Sequence, residues 1–180
     1  MATETTLEIQ GLKELDELLK TLPAKIEGNV VRSALRAGQN VIGNAAKKTL
    51  AANGNINTGA LQKSIRVRFN RKSEKRYGWV RSNLIAGNKE AWYAHLIEFG
   101  TGSYYSGKGS KSKKRPYEIR PKNKKSLFFA GIMRDVIVHP GIKPQSFMRS
   151  AFDANSDRAL QAFADYIRTR LPKEVKKINS

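Results

Sequence analysis

At 180 residues the chain is of a length that favours one domain around one core. Its 34 Lys and Arg against 15 Asp and Glu leave a net charge of +19, which directs attention to a polyanion, an acidic protein surface or anionic lipid as partner. Cysteine is absent, which excludes disulfides, thiolate metal sites and a cysteine nucleophile, and fits assembly in a reducing cytoplasm.

No apolar run approaches the roughly 20 residues of a bilayer-spanning helix. Met1 to Gln10, with acids at Glu4 and Glu8, has no h-region of a signal peptide. The expectation is a soluble protein with no membrane partner that stays in the compartment where it is made.

In chain order, Leu7 and Ile9 alternate with polar neighbours as in a short strand, and Gly11 breaks it. Leu12, Leu15, Leu18, Leu19 and Leu22 follow at helical spacing, with Pro23 as a stop. A long helix is predicted from about Ala24 to Ala52. Its apolar face reads Ile26, Val30, Ala34, Ala37, Val41 and Ala45, and Val31, Leu35 and Ile42 widen it enough for burial on more than one side. Gly28, Gly38 and Gly43 lie inside it, for close packing or a kink, and Asn53-Gly54 closes it.

Thr58 caps a short turn containing Gly59, Ala60 and Leu61. Ile65, Val67 and Phe69 alternate with Arg66, Arg68 and Asn70, a half-buried strand. Arg71 to Arg76 is a charged hairpin tip, and Tyr77, Trp79 and Val80 begin the return strand. Ala91 to Phe99 reads as a short helix ended by Gly100.

Gly102 to Lys125 is rich in Gly, Ser, Lys and Arg. It reads as a flexible basic loop over about 102–126, with a strand at Tyr117 to Arg120. Leu127 to Phe129 reads as a buried strand and Met133 to Val138 as another apolar stretch. Pro140 and Pro144 bracket a turn. The final helix is expected from about Gln145 to Leu171, burying Phe147, Ala151, Phe152, Ala159, Ala162, Phe163, Tyr166 and Ile167, with Pro172 as its end.

Catalytic chemistry has little to build on. The two histidines, His95 and His139, lack further ligands at metal-binding offsets, so no metal or cofactor site is expected. Glu98 has no second carboxylate for acid–base hydrolysis, and an ion pair, with Arg149 as a partner, is the better reading. Gly100-Thr101-Gly102 and Gly107-Lys108-Gly109-Ser110 lack the spacing and context of nucleotide-binding loops. What remains distinctive is charge. Arg66, Arg68, Arg71, Lys72, Lys75 and Arg76 form one basic cluster; Lys111, Lys113, Lys114 and Arg115 lie in the other. Several such cations together give salt-sensitive, sequence-independent affinity for phosphates.

The ordered set of short motifs carries a resemblance. Gly11-Leu12 with its leucine helix, Thr58-Gly59-Ala60-Leu61, Tyr93-Ala94 through Glu98-Phe99-Gly100-Thr101, and Pro144 through Phe147-Met148-Arg149 to Asp153 resemble the tail-completion, or head–tail joining, proteins of long-tailed bacteriophages. The resemblance implies a structural neck protein rather than an enzyme, located in the virion at the head–tail junction after assembly in the host cytoplasm. It implies a homo-oligomeric ring, six subunits preferred and twelve second, other neck and tail proteins as partners, and non-specific contact with genomic DNA. No catalytic residues are carried over; Thr58, Gly59, Glu98, Phe99, Gly100, Pro144, Phe147 and Arg149 are structural positions. The expected fold is α/β of the α+β type: long N- and C-terminal helices packed with a small, mainly antiparallel sheet in a single domain, from which basic loops project. The alternative function is a basic protein that binds DNA without sequence preference.

Overall fold

The computed structural model describes residues 24–54, 58–71, 79–107, 115–122 and 125–178. The strand expected at Leu7–Ile9, the leucine helix, most of the basic hairpin tip and the 108–114 part of the basic loop lie outside the described residues. The elements are α1 (Ala24–Ala52), α2 (Ala60–Ser64), β1 (Arg66–Phe69), β2 (Ser82–Ile85), α3 (Ala94–Phe99), a 3-10 turn (Gly102–Tyr104), β3 (Tyr117–Ile119), β4 (Leu127–Phe129), β5 (Ile132–Arg134), β6 (Ile137–His139) and α4 (Phe147–Ile178). This is an α+β protein. Among the described residues the strands, of three or four residues each, pair as three two-stranded sheets, β1–β2, β3–β6 and β4–β5, in place of the one small sheet expected.

The chain divides into two compact units. The first comprises Met1–Val41, Val67–Asn83 and Asp157–Ser180; the second comprises Ile42–Arg66 and Leu84–Ser156. In the first, the two long helices pack together. Val30 and Ala34 of α1 and Ile167 and Leu171 of α4 form a buried cluster, flanked by Phe163, Tyr166 and Val175. Gly38 explains how closely the helices approach: a Cβ there would lie 2.7 Å from the carbonyl oxygen of Ala159. Of the two roles open to this glycine, close packing is the one realised.

The buried stripe of α1 runs through Val30, Ala34, Gly38, Ile42, Ala46 and Leu50, each four residues beyond the last. Ala37, Val41 and Ala45, placed on the buried face by the sequence reading, are only half-buried. Four residues advance a helix by roughly 40° more than a full turn, so this stripe drifts around the axis. That is how so wide an apolar face is used.

In the second unit the buried residues are Ile42, Ala46 and Leu50 of α1, Leu61 and Ile65, Ala91 and Ala94, and Phe147 and Ala151 at the start of α4. Gly43 faces Leu84 of β2, which a Cβ at that position would meet at 3.3 Å. The two outer ribbons are antiparallel: Tyr117, Glu118 and Ile119 pair with His139, Val138 and Ile137, and Leu127, Phe128 and Phe129 pair with Arg134, Met133 and Ile132.

Four expectations need correction. Phe152 is 56% exposed, not buried; it follows Phe147 by five residues, which turns it roughly 140° away from that side chain's face. Pro172 does not end α4, which continues to Ile178. Leu171 is buried and Val175 packs on the same cluster, so burial on both sides of the proline carries the helix through it. The ring itself sits in an exposed position. The return strand begins at Ser82, with Trp79 and Val80 before it. Finally, the strand at Leu127–Phe129 is not a buried one, because Phe128 stands out in solvent.

Candidate functional site

The sequence motifs converge in the second unit. The segment around Glu98-Phe99-Gly100-Thr101 lies antiparallel to Pro140–Gln145, joined by backbone hydrogen bonds. Gln145 N–H donates to the Ile97 carbonyl at 2.9 Å, Thr101 N–H to Ile142 at 2.9 Å and Ser103 N–H to Pro140 at 2.8 Å. The Thr101 hydroxyl accepts the Ile142 N–H at 2.9 Å. Gly100 is required here for two reasons. Its φ of 73° and ψ of −175° fall in a region essentially closed to other residues. A Cβ would also meet the Ile142 oxygen at 2.6 Å and the Pro144 nitrogen at 2.9 Å.

Glu98 is the buried acid of this arrangement, 8% exposed. Its carboxylate accepts the backbone N–H groups of Met148 at 2.8 Å and Arg149 at 3.1 Å. These are the second and third residues of α4, whose N–H groups have no intrahelical acceptor. The negative charge also faces the positive end of the helix dipole. Ser146, at the position where a side chain ordinarily caps the helix, has φ of 42°, and its hydroxyl instead donates to the Glu98 carbonyl at 3.4 Å. The cap of α4 thus comes from 50 residues earlier in the chain.

The expected ion pair between Glu98 and Arg149 is not formed. The carboxylate takes the arginine's backbone, and the guanidinium carbon lies 5.8 Å from the centre of the Phe99 ring. A helix end lacking a local acceptor attracts the nearest buried anion, and the arginine then rests on the aromatic face beside it.

The Thr58 motif forms a second small lock. Thr58 Oγ1 accepts the Ala60 N–H at 3.3 Å, Leu61 is buried, and the buried Ser64 hydroxyl donates to the Leu61 carbonyl at 2.6 Å while accepting the Gly87 N–H at 2.9 Å. Gly59 adopts the left-handed conformation before α2. His95 Nδ1 lies 2.9 Å from the Trp92 carbonyl oxygen, and His139 Nδ1 accepts the Gly141 N–H at 3.0 Å. Among the described residues no three His, Asp or Glu side chains gather as a metal site would require.

The cations stand elsewhere. Arg66 and Arg68 share the exposed face of β1, while Val67 and Phe69 are half-buried. Arg71, Arg81 and Arg115 are also exposed. Lys72, Lys75, Arg76, Lys111, Lys113 and Lys114 fall outside the described residues. Within the second unit, Arg120 is paired with Glu118 at 2.8 Å.

Exposed apolar side chains are what the sequence reading missed: Trp92, Phe128, Ile132, Met133, Val138 and Ile142 are all exposed. A signal for the hairpin was present. Ala130 and Gly131 both have positive φ, as a two-residue hairpin turn demands, and a glycine between two short apolar runs marks such a turn.

The motif residues thus lock the chain's own backbone together, while cations and apolar side chains stand exposed. Residues 13–100 match the family model described as HK97-gp10-like (Bacteriophage HK97-gp10, putative tail-component). Over this span, just under half its length, the chain is similar to that family of phage tail components. No curated protein and no solved structure matches the chain. No helix among the described residues is long and apolar enough to cross a membrane.

Proposed function

We propose that the protein completes the tail and joins it to the DNA-filled head, as a ring at the neck around the DNA channel. Six subunits is the preferred stoichiometry and twelve the second. The observation that carries this reading is the division of labour in the second unit: Glu98 and Gly100 are committed to backbone locking, and the exposed surface offers cations and apolar side chains for contacts with other molecules. The similarity of residues 13–100 to a tail-component family supports it. Closed rotational symmetry is the usual way for identical subunits to fill a tubular junction. Locating the protein in a density map of the intact virion tests the proposal. A ring between head and tail is expected; copies at the distal tail tip, or scattered without symmetry, overturn it.

The exposed pair Arg66 and Arg68 favours one further reading, a sequence-independent DNA-binding protein. That protein would bind duplex DNA alone, with affinity falling steeply in salt. The neck protein would instead form a defined oligomer, by itself or on meeting its neck partners.

A further inference from the structure

At the end of β6 the chain runs through His139-Pro140-Gly141-Ile142 and is fastened to the Thr101 segment. Ser103 N–H donates to the Pro140 carbonyl at 2.8 Å, Thr101 N–H to the Ile142 carbonyl at 2.9 Å, and Ile142 N–H to the Thr101 hydroxyl at 2.9 Å. Pro140 has no N–H to place. The Gly141 N–H has a side chain for its acceptor, Nδ1 of His139 at 3.0 Å. Gly141 has φ of 108°, and a Cβ there would overlap the Thr101 carbonyl oxygen, so the turn has little room to shift. A ring nitrogen that accepts a hydrogen bond carries no proton, so this imidazole is neutral and its proton sits on Nε2.

We infer that His139 is a pH-sensitive clasp: a second proton on its imidazole opens the 139–142 turn and loosens its hold on Thr101–Ser103. Imidazolium has an N–H on both nitrogens, so protonation sets Nδ1–H against the Gly141 N–H, donor against donor. The contribution of the turn is complete while the imidazole is neutral. It is lost as pH falls through the range in which histidine gains charge, about pH 8 to 5. The surrounding groups do not offset that loss. On β3, Tyr117 lies opposite His139, the two ring centres 5.3 Å apart. Glu118 is opposite Val138, on the other side of the ribbon, and is paired with Arg120. Thr101, Gly102 and Ser103 carry no titratable side chain. Lys143 lies over the Tyr104 ring, 5.8 Å from its centre. Arg134 and Asp135, ahead of β6, are exposed. Among the described residues no carboxylate forms an ion pair with His139 that could hold its charged form in place. Opening the turn frees Ile142 and Lys143, both exposed, so the surface shown to neighbouring molecules changes with it. The inference does not depend on where in the particle the protein sits.

Hydrogen exchange at the Gly141 amide of the full chain, taken as protection relative to an unstructured peptide at the same pH, tests the inference alongside His139→Asn and His139→Leu. The carboxamide oxygen of asparagine accepts from the N–H two residues on, as Nδ1 does here, and it does not titrate. In the parent, protection is expected to fall at least about tenfold between about pH 8 and about pH 5. His139→Asn is expected to keep its protection at both, and His139→Leu to have little at either. Protection in the parent that ignores pH overturns the inference. So does an Asn variant that loses protection in acid as the parent does, because another group would then be titrating. A Leu variant that keeps its protection overturns it too. The ring nitrogen resonances of the parent give a readout that needs no variant. Nδ1 of His139 is expected to be bare at about pH 8, and a proton found on it there sinks the clasp.

Discussion

Glu98 and Arg149 meet through the arginine's backbone: Oε1 of Glu98 accepts the Arg149 N–H at 3.1 Å, while the Arg149 side chain lies over Phe99. The two residues therefore differ in what their removal costs. Glu98→Ala strips the acceptor from two N–H groups at a partly buried helix end, and the expected loss is about 1–2 kcal/mol. Arg149→Ala leaves both bonds in place and removes one exposed cation–π interaction, a loss of less than about 1 kcal/mol. Urea unfolding midpoints of the two variants check this. Equal losses would mean that a side-chain ion pair, and not the cap, holds the start of α4.

Gly100→Ala is a sharper test of the antiparallel segment that joins the two motifs. The substitution faces forbidden dihedrals and backbone atoms of the neighbouring segment, with no flexible side chain to give way. A loss of at least about 3 kcal/mol is expected, combining strain of roughly 1–3 kcal/mol with the clash. Asn53-Gly54 provides the control. Gly54 also has positive φ, but a Cβ there meets nothing within 4 Å, so Gly54→Ala is expected to cost about 1–2 kcal/mol. Thermal unfolding of the pair decides the matter: similar losses would remove the case for close approach at Gly100.

The two phenylalanines of early α4 make a further contrast. Phe147 is fully buried, and Phe147→Ala is expected to cost about 3–5 kcal/mol, a large share of a domain's stability. Phe152→Ala, at an exposed position, is expected to shift stability by no more than about 0.5 kcal/mol. A large loss at Phe152 in dilute, monomeric protein would contradict the exposed placement.

These contrasts also mark what the sequence made legible. Helix periodicity located α1 and α4, because their apolar residues recur often enough to fix a face. It could not choose among adjacent stripes of α1, since Gly38 belongs to the buried row and has no side chain to announce it. The Glu98 cap was not legible for a different reason. A capping acid is ordinarily sought three residues into its own helix, and that place holds Arg149. The acceptor arrives from a separate helix, and only the fold brings it there. Pro172 misled because a proline's local cost was weighed without the burial of Leu171 before it and the packing of Val175 after it. The Phe128 hairpin misled because an apolar triplet was assumed to face inward, whereas much of a folded protein's surface is itself apolar.

The last prediction separates the two basic clusters. We propose that the stretch bearing Lys111, Lys113, Lys114 and Arg115 grips a neighbouring subunit or an acidic neck protein, and that the stretch bearing Arg71, Lys72, Lys75 and Arg76 approaches DNA. The loop is longer and richer in glycine and serine, which suits a segment that orders on contact. The shorter tip continues from β1, whose Arg66 and Arg68 already line an exposed face. Replacing the four loop cations with Ser is expected to leave the unfolding midpoint within about 0.5 kcal/mol of the parent while the yield of joined, infectious particles falls. Replacing the four tip cations is expected to reduce the salt dependence of duplex binding, by about 0.9 in the logarithmic slope for each phosphate no longer neutralised. Each variant carries the same loss of four positive charges, so a general charge effect would weaken joining and DNA binding alike in both. A loop variant that assembles particles as well as the parent would end the assignment of the loop to a protein partner.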